Sequence, residues 1–301
     1  MKTNFIFPGQ GSQYKYMGKK LYNKFDYAKN LFNRSNDILK YDIKKICFSD
    51  SEDIHKTKYT QPAIFIYSMI CDYYLKDAGY EPIAFAGHSL GEISAIVSSD
   101  CLPFEDALKI IKVRAEDMNN CSDKNKGKMI ALLSSDYNQI QKIINDNTSS
   151  VVIANYNSKK QTILSGHNNE INLISNIFKS KNIRSIELNV SGAFHSNLMI
   201  DAEKSLKILI KKSKFKDINK PLYQNYEASK HYKAKDIKHN LIQQLTSPVK
   251  WLDIINNMYT DNINNFIEVG PGSTLTKLNK NINSDIICSN FNKLSIILWM
   301  I

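Results

Sequence analysis

The chain lacks any apolar run long enough to cross a membrane, although it has 301 residues. A spanning helix needs about 20 consecutive apolar residues, and the last apolar stretch, residues 295–301, is far shorter. We expect that stretch to dock against the body of the protein. The chain also reaches a proline, Pro8, before an apolar signal-peptide core can form. The sequence thus predicts a protein with neither a membrane anchor nor a secretory signal.

The features that mark disulfide frameworks and metal sites are also missing. The five cysteines are odd in number and include no C-x-x-C pair, so we expect buried thiols in a reducing cytoplasm. The six histidines show no spacing typical of a zinc site. We therefore expect neither a metal centre nor a bound cofactor.

The chain has fewer acidic than basic residues. It has 29 Asp and Glu against 40 Lys and Arg, which gives a formal net charge of +11. The lysines are scattered and form no nucleic-acid-binding module, so we expect no nucleic acid partner. Two interpretations of the excess remain. The protein either presents a basic surface that steers an acidic partner towards it, or is simply rich in lysine without such a partner.

One stretch that is present carries chemistry: residues 87–91 read GHSLG, the G-x-S-x-G pattern of a nucleophile elbow. Residues 83–86 predict a short apolar strand before it, and residues 90–97 predict a helix after it. A glycine on each side of Ser89 leaves room for the sharp turn. The turn would hold the Ser89 hydroxyl over a helix N-terminus, where free amides favour an oxyanion. The alternative is an ordinary strand-to-helix turn that happens to contain a serine.

A second glycine-rich loop, PGQGSQ at residues 8–13, follows a predicted strand at residues 5–7. It has neither the lysine nor the spacing of a phosphate-binding loop. One interpretation is that the loop donates a backbone amide to an oxyanion hole beside the nucleophile, as in hydrolase-like folds. A simple tight turn explains the same residues equally well.

A serine hydroxyl needs a base to remove its proton, and histidine is the first choice. His88 neighbours Ser89, but adjacent residues on a tight turn point apart. Four more histidines lie in charged, solvated surroundings or in a turn; they are His55, His167, His231 and His239. His195 remains, either as the general base or in a purely structural role. Because no carboxylate stands out between Ser89 and His195, we expect a backbone carbonyl to orient the imidazole.

The order of predicted elements indicates two units. Residues 125–190 read as strand, helix, strand, strand, helix, strand (βαββαβ), which is the ferredoxin-like unit. Residues 1–124 and 191–301 carry the elbow and the remaining predicted strands. The fold class we expect is α/β, with a hydrolase-like parallel-sheet core and an inserted ferredoxin-like subdomain. His195 falls where the insertion rejoins the core, a natural place for a cleft.

Three helical segments in the core bear on the site. Residues 19–50 show amphipathic helical spacing. Residues 60–63 read TQPA, which predicts a helix start with Pro62 near the first helical position. Arg114 lies within a third predicted helix, where an arginine is most often solvated or paired with a neighbour such as Asp117. Residues 123–127 are polar and predict a turn after that helix.

Six motifs, taken together, resemble the malonyl-CoA:acyl carrier protein transacylases, a family that loads malonyl units for fatty acid synthesis. They occur in the family's order and span nearly the whole chain. The motifs are FPGQGSQ at residues 7–13, TQPA at 60–63, GHSLGE at 87–92, AFHS at 193–196, SPVKW at 247–251 and EVGPG at 268–272. The family's fold, a hydrolase-like core with a ferredoxin-like insertion, agrees with the two predicted units.

The resemblance implies a catalytic role for four of the matching residues. Ser89 would be the acylated nucleophile, and His195 its general base and then its general acid. The backbone amides of Gln10 and Leu90 would form the oxyanion hole.

The resemblance also implies three substrate-binding side chains. Arg114 would hold the malonyl carboxylate, since a guanidinium makes two charge-assisted hydrogen bonds to a carboxylate. Gln244 would help to orient the catalytic histidine, and Gln61 would line the site. The acidic residues after Arg114, including Asp117, depart from the family pattern, so a local ion pair could compete for the guanidinium.

The function we expect is transfer of a malonyl group from malonyl-CoA to the pantetheine thiol of acyl carrier protein through a malonyl-serine ester. Acyl carrier proteins are acidic, which would suit the net charge of +11 in a transient complex. Phe194 resembles the malonyl-selective rather than the methylmalonyl-selective form of the family. We expect a cytoplasmic monomer. The alternatives are a serine ester or thioester hydrolase, a free-standing polyketide extender-unit acyltransferase, and a non-catalytic acyl-binding module.

Overall fold

The computed structural model describes residues 1–133 and 136–298, and side chains within these ranges up to residue 294. The predicted docking of residues 295–301 falls outside the described side chains. The described strands are β1 (Lys2–Phe7), β2 (Glu81–Gly87), β3 (Gly127–Leu132), β4 (Val152–Ser158), β5 (Gln161–His167), β6 (Ser185–Glu187), β7 (Leu222–Tyr223), β8 (Lys230–His231), β9 (Asn265–Glu268) and β10 (Ile287–Asn290).

Helices connect and cover these strands. They are α1 (Lys19–Lys24), α2 (Asp26–Leu39), α3 (Ile43–Cys47), α4 (Thr57–Asp77), α5 (Leu90–Ser98), α6 (Phe104–Asn125), α7 (Tyr137–Asn147), α8 (Asn168–Ser180), α9 (Ile200–Lys212), α10 (Ala234–Gln243), α11 (Trp251–Thr260), α12 (Thr274–Ile282) and α13 (Phe291–Leu298). Short 3-10 turns lie at Glu52–His55, Asn197–Met199 and Gln244–Thr246.

The larger sheet has the strand order β10-β9-β1-β2-β7-β8. Every neighbouring pair is parallel except β7 and β8. Alternate residues of β1 enter different apolar clusters, Phe5 and Phe7 on one face and Ile6 on the other. Both faces are therefore buried, as a parallel sheet requires. The parallel-sheet core predicted from the apolar runs is confirmed.

The smaller sheet has the order β4-β5-β3-β6, with every pair antiparallel. Along the chain its elements run β3-α7-β4-β5-α8-β6, which confirms the predicted βαββαβ order. One face packs under α7 and α8, where Leu132 and Leu164 meet Ile140 and Phe178 in a separate apolar cluster. The other face is turned to the larger unit, because Ile163 belongs to the main core cluster.

Backbone hydrogen bonds fix the smaller unit to the larger one. The Val249 amide donates to the Ala154 carbonyl at 2.8 Å, and the Tyr156 amide donates to the Val249 carbonyl at 2.9 Å. These bonds join β4 to the segment just before α11 as an isolated parallel bridge. The smaller unit is thus held to the larger one by this bridge as well as by its two chain connections.

The predicted start of α4 at residues 60–63 is wrong. The helix begins at Thr57, and Pro62 lies in its interior. Proline has no amide proton for the carbonyl four residues earlier, and that carbonyl, of Lys58, accepts from the Tyr41 hydroxyl at 3.4 Å instead. The apolar packing of α4, which buries Pro62, overrides the local preference for proline in the first turn.

Other boundaries also differ from the sequence patterns. The amphipathic segment at residues 19–50 is divided into α1, α2 and α3, and α2 ends at a left-handed Lys40 with φ of 65°. Helix α6 continues to Asn125, so most of the polar stretch at residues 123–127 is helical rather than a turn. Strand β6 is three residues long, and the chain leaves the sheet after Glu187 towards the cleft.

Candidate active site

Ser89 lies between β2 and α5 in a strained backbone conformation, with φ of 52° and ψ of −106°. Such a conformation costs about 1–3 kcal/mol and persists only where the surrounding structure imposes it. Close approach explains the two flanking glycines. A Cβ on Gly87 would lie 2.0 Å from the Gly91 carbonyl group, and one on Gly91 would lie 2.0 Å from the Phe7 carbonyl oxygen. The strand, turn and helix predicted for the elbow are all present.

His195 contacts the hydroxyl of this serine. Its Nε2 lies 2.8 Å from Ser89 Oγ. On the other side of the ring, Nδ1 lies 3.0 Å from the Gln244 carbonyl and 3.2 Å from the Ser247 carbonyl. Because carbonyl oxygens only accept, Nδ1 carries the proton and Nε2 is left free to accept one. The backbone carbonyl expected from the sequence is therefore present.

The environment keeps the imidazole of His195 neutral. Burial, followed by the nearby Arg114 guanidinium, lowers the pKa of His195 to about 3. A group with this depressed pKa is unprotonated at every pH above that value. Its Nε2 lone pair is therefore free to accept a hydrogen bond from Ser89 across the physiological range.

Arg114 projects from α6 into the same cleft and is only 3% exposed. Its Nη1 donates to Gln61 Oε1 at 2.7 Å, and its Nη2 donates to Ser89 Oγ at 3.0 Å and to Gln244 Oε1 at 3.3 Å. Arg114 is therefore neither solvated nor paired with Asp117, the two situations most frequent for an arginine on a surface helix. The side chain points from α6 towards α4 and the elbow, away from the solvated face of its own helix.

The charge of Arg114 has no carboxylate partner in hydrogen-bonding contact among the described residues. Burial lowers the pKa of the guanidinium to about 10, so it remains charged at neutral pH. Buried charges are normally paired, because an unpaired one is costly to remove from water. A charged guanidinium that ends beside a nucleophilic oxygen is therefore suited to bind an anionic group of a ligand.

The loop at residues 8–13 lies against the elbow. A Cβ on Gly9 would lie 2.6 Å from the His88 carbonyl oxygen, so the backbone of this loop approaches the elbow closely. The Gln10 side chain donates to Thr57 at 3.1 Å, which fixes the loop to the start of α4. Gln10 and Leu90 both line the cleft, and the Leu90 amide is in the first turn of α5, where no intrahelical carbonyl is available.

The cleft that these residues line has a volume of about 230 Å³. The larger unit contributes polar groups to it, among them Ser89, Arg114 and His195. The smaller unit contributes four apolar and three amide side chains. Its lining side chains are Met129, Asn155, Asn157, Gln161, Ile163, Leu188 and Val190.

Among the described contacts, no other histidine hydrogen-bonds to the Ser89 hydroxyl. His88 turns away from the elbow, with its Nε2 2.8 Å from Asn157 Oδ1. His231 is less solvated than the sequence predicts, because it contacts Glu227 and Asn240. Among the residues that the structure describes, no group of three or more His, Cys, Asp or Glu side chains could hold a metal ion. Within the same residues, none of the helices qualifies as a membrane span.

The sequence reasoning missed two buried residues behind the elbow. Glu92, on the first turn of α5, accepts from the Asn225 amide at 2.6 Å, and burial raises its pKa to about 7. The Asn225 side chain bonds to the elbow backbone itself. Glu92 carried a signal, as the one charged residue in an otherwise apolar helix start. Asn225 carried only its position just after a short apolar strand.

The chain is similar to proteins of one family along almost its whole length. The model of the acyl transferase domain family matches residues 4–288. The malonyl CoA-acyl carrier protein transacylase of Bacillus subtilis (strain 168) is 36% identical over 287 residues, which are 94% of this chain and 90% of the relative.

Solved structures agree with this match. The malonyl CoA-acyl carrier protein transacylase from Clostridium perfringens is 31% identical, with a TM-score of 0.92 over 100% of this chain and 98% of its own. A malonyl-transacylase solved in complex with a type II PKS acyl-carrier protein is 27% identical, with a TM-score of 0.91 over 96% of this chain and 95% of its own.

Proposed function

The chain belongs to the acyl transferase domain family, and we propose that it transfers a malonyl group from malonyl-CoA to the pantetheine thiol of acyl carrier protein through an ester on Ser89. The reaction has two half-reactions that use the same pair of side chains. We assign it to fatty acid synthesis. The alternative is a role in polyketide synthesis, because one similar malonyl-transacylase was solved in complex with a type II PKS acyl-carrier protein.

In the first half-reaction, His195 Nε2 accepts the Ser89 proton as Oγ attacks the thioester carbonyl. The carbon–sulfur bond breaks, the imidazolium returns its proton to the sulfur, and CoA leaves. In the second, the pantetheine thiol gives its proton to Nε2 and attacks the ester. The carbon–oxygen bond breaks and Ser89 regains its proton. The two amides of Gln10 and Leu90 would stabilise the oxyanion in both steps.

The observation that carries the malonyl assignment is the buried, charged Arg114 guanidinium 3.0 Å from Ser89 Oγ. An acyl group esterified at that oxygen would place a carboxylate two carbons away within reach of the guanidinium, which binds such groups through two hydrogen bonds. Gln61 and Gln244 hold the guanidinium in place. The negative charge of the substrate would also offset the effect of Arg114 on the pKa of His195, so a malonyl group would strengthen the base.

The remaining parts of the proposal follow from this chemistry. Ser89 and His195 supply every proton transfer that the two steps need, so we assign no metal or cofactor. The net charge of +11 supports a transient complex with an acidic carrier protein.

All five cysteines are free thiols and four are buried, which supports the assignment to the reducing cytoplasm. We propose a monomer as the active form, since the cleft is completed by residues of one chain.

The test is the intact mass of the protein after brief mixing with malonyl-CoA or acetyl-CoA, followed by addition of holo acyl carrier protein. We expect a malonyl adduct on Ser89 that the carrier discharges, little adduct from acetyl-CoA, and no adduct on Ser89→Ala. If water hydrolyses the adduct faster than the carrier protein accepts the acyl group, the enzyme is a hydrolase rather than a transferase. No adduct from either thioester would leave an acyl-binding module.

A further inference from the structure

The elbow depends on a backbone conformation that local sequence does not hold by itself. Ser89 has a positive φ, and the first amides of α5 have no intrahelical carbonyls to bond. On one edge of β2, strand β1 reaches the turn, and the Phe7 carbonyl accepts from the His88 amide at 3.0 Å. On the other edge, strand β7 pairs with Phe85 and Ala86 of β2 and then ends at Tyr223, before it reaches the turn. On this second edge, another group must bond to the backbone on either side of Ser89.

The side chain of Asn225, two residues beyond the end of β7, occupies that place. Its Nδ2 donates to the Gly87 carbonyl at 2.7 Å, and its Oδ1 accepts from the Ser89 amide at 2.7 Å. One side-chain amide thus bonds the last residue of β2 and the nucleophile itself. These two bonds continue the hydrogen-bonding pattern of the sheet past the end of its neighbouring strand.

A second set of contacts fixes Asn225. Glu92 Oε2 accepts from the Asn225 amide at 2.6 Å, and Glu92 Oε1 accepts from Gln224 Nε2 at 3.1 Å. Glu92 and Asn225 are both fully buried. Because Glu92 belongs to α5, the contacts form a closed circuit from the elbow through Asn225 to the helix that follows the elbow.

We propose that Asn225 is a positioning residue for acyl transfer: its side-chain amide holds the elbow backbone so that Ser89 Oγ stays within reach of His195. Asn225 is not among the residues that line the cleft, so it acts on the rate of acylation and not on substrate binding. A displacement of about 1 Å at a reacting group lowers a rate by roughly 10²-fold. The inference rests on the proposed acylation of Ser89.

The test measures single-turnover acylation by malonyl-CoA, with melting temperature as a separate readout. For Asn225→Ala we expect the maximal rate to fall roughly 10²-fold, while the malonyl-CoA concentration at half the maximal rate changes less than about twofold. Asn225→Asp keeps the acceptor for the Ser89 amide but loses the donor to Gly87, so it should recover part of the rate. Glu92→Gln weakens the hold on Asn225 without altering Asn225 itself and should lower the rate less.

The matched control is Asn240→Ala. Asn240 is also buried, bonds to Gln224 and His231, and has no contact with the elbow. The Asn240→Ala variant should have a lower melting temperature and an unchanged acylation rate. The proposal is overturned if Asn225→Ala loses no more rate than Asn240→Ala at equal loss of stability, or loses affinity instead of rate. If Asn225→Ala does not fold, the acylation rate of Glu92→Gln is compared with that of Asn240→Ala instead, and the same outcomes decide for or against the proposal. Absence of any adduct on the unaltered protein would reject the proposed function rather than this role of Asn225.

Discussion

The cleft has one wall from the parallel-sheet core and one from the inserted unit, and the two walls differ in their contacts with the nucleophile. On the core wall, Ser89 Oγ bonds to His195 at 2.8 Å and to Arg114 at 3.0 Å. On the inserted wall, four apolar side chains, including Ile163 and Leu188, lie beside three amide side chains. The described hydrogen bonds to the Ser89 hydroxyl thus come from the core wall, and the inserted wall mainly supplies shape.

This difference has a physical basis. Catalytic groups must be held within tenths of an ångström, which rigid elements and bonded side chains achieve. Parallel strands β1 and β2 with helices α4, α5 and α6 provide such a frame, since their side chains are bonded across long sequence distances. The inserted unit only has to exclude water and contact the acyl and pantetheine groups, which apolar side chains do with less demand on geometry.

Of the changes to the two walls, replacement of Arg114 should have the largest effect on the rate of malonyl transfer. Arg114→Ala removes the cation that would bind the malonyl carboxylate, so we expect malonyl transfer to fall roughly 10²-fold, or about 3 kcal/mol. Acetyl transfer should survive or rise, because the guanidinium no longer bonds to Ser89 Oγ. The measurement is the acylation rate with each thioester in parallel.

Two variants control this experiment. Arg114→Lys keeps a positive charge but loses the planar fork, so it should recover only part of the malonyl rate. Arg184→Ala removes an exposed arginine of the inserted unit and should change neither rate. An unaltered malonyl rate in Arg114→Ala would mean that the carboxylate is bound elsewhere.

A change on the inserted wall should give a smaller effect of a different kind. Leu188 is half-buried in the cleft lining, and Leu188→Ala removes apolar contact worth about 1 kcal/mol, or roughly fivefold in affinity. We expect the malonyl-CoA concentration at half the maximal acylation rate to rise by that factor, with the maximal rate unchanged. Ile186→Ala, at an exposed position of β6 two residues earlier, is the control. A loss of maximal rate as large as that of Arg114→Ala would contradict the division between the two walls.

The sequence predicted the features that local chemistry determines. The elbow was readable because two glycines, an apolar strand and a helix start surround Ser89 within about a dozen residues. The βαββαβ order of the insertion was readable because each element has its own periodicity. The carbonyl partner of His195 followed from the lack of a carboxylate in the right part of the chain.

Other features depend on contacts between distant segments. Local pattern alone did not place Arg114 in the site, because its own helix carries acidic neighbours and its contact with Gln61 spans 53 residues; only the family resemblance indicated it. Asn225 meets Ser89 across 136 residues of chain, with no local motif to indicate the contact. Pro62 was misplaced for a related reason, since burial of the whole helix outweighs the preference of one residue.

The smallest effect we predict separates stability from activity within the inserted unit. Glu170 accepts hydrogen bonds from the amides and hydroxyls of Ser149 and Ser150, of which the shortest is 2.6 Å, and these bonds lower its pKa to about 2. Glu170→Gln should lower the melting temperature by about 2 °C at neutral pH, because an amide nitrogen cannot accept those bonds. Malonyl transfer should not change.

The contribution of Glu170 to the stability of the folded chain should depend on pH. The pKa of Glu170 is lower in the folded chain than its ordinary value of 4.5, so its contribution to stability is complete above about pH 4.5 and is lost as pH falls towards 2. The difference in melting temperature between the unaltered protein and Glu170→Gln should therefore shrink in acid. Glu187→Gln, at an exposed ion pair on β6 of the same unit, should show almost no difference at any pH. Loss of transfer activity in Glu170→Gln at full stability would mean that the inserted unit positions reacting groups as closely as the core does.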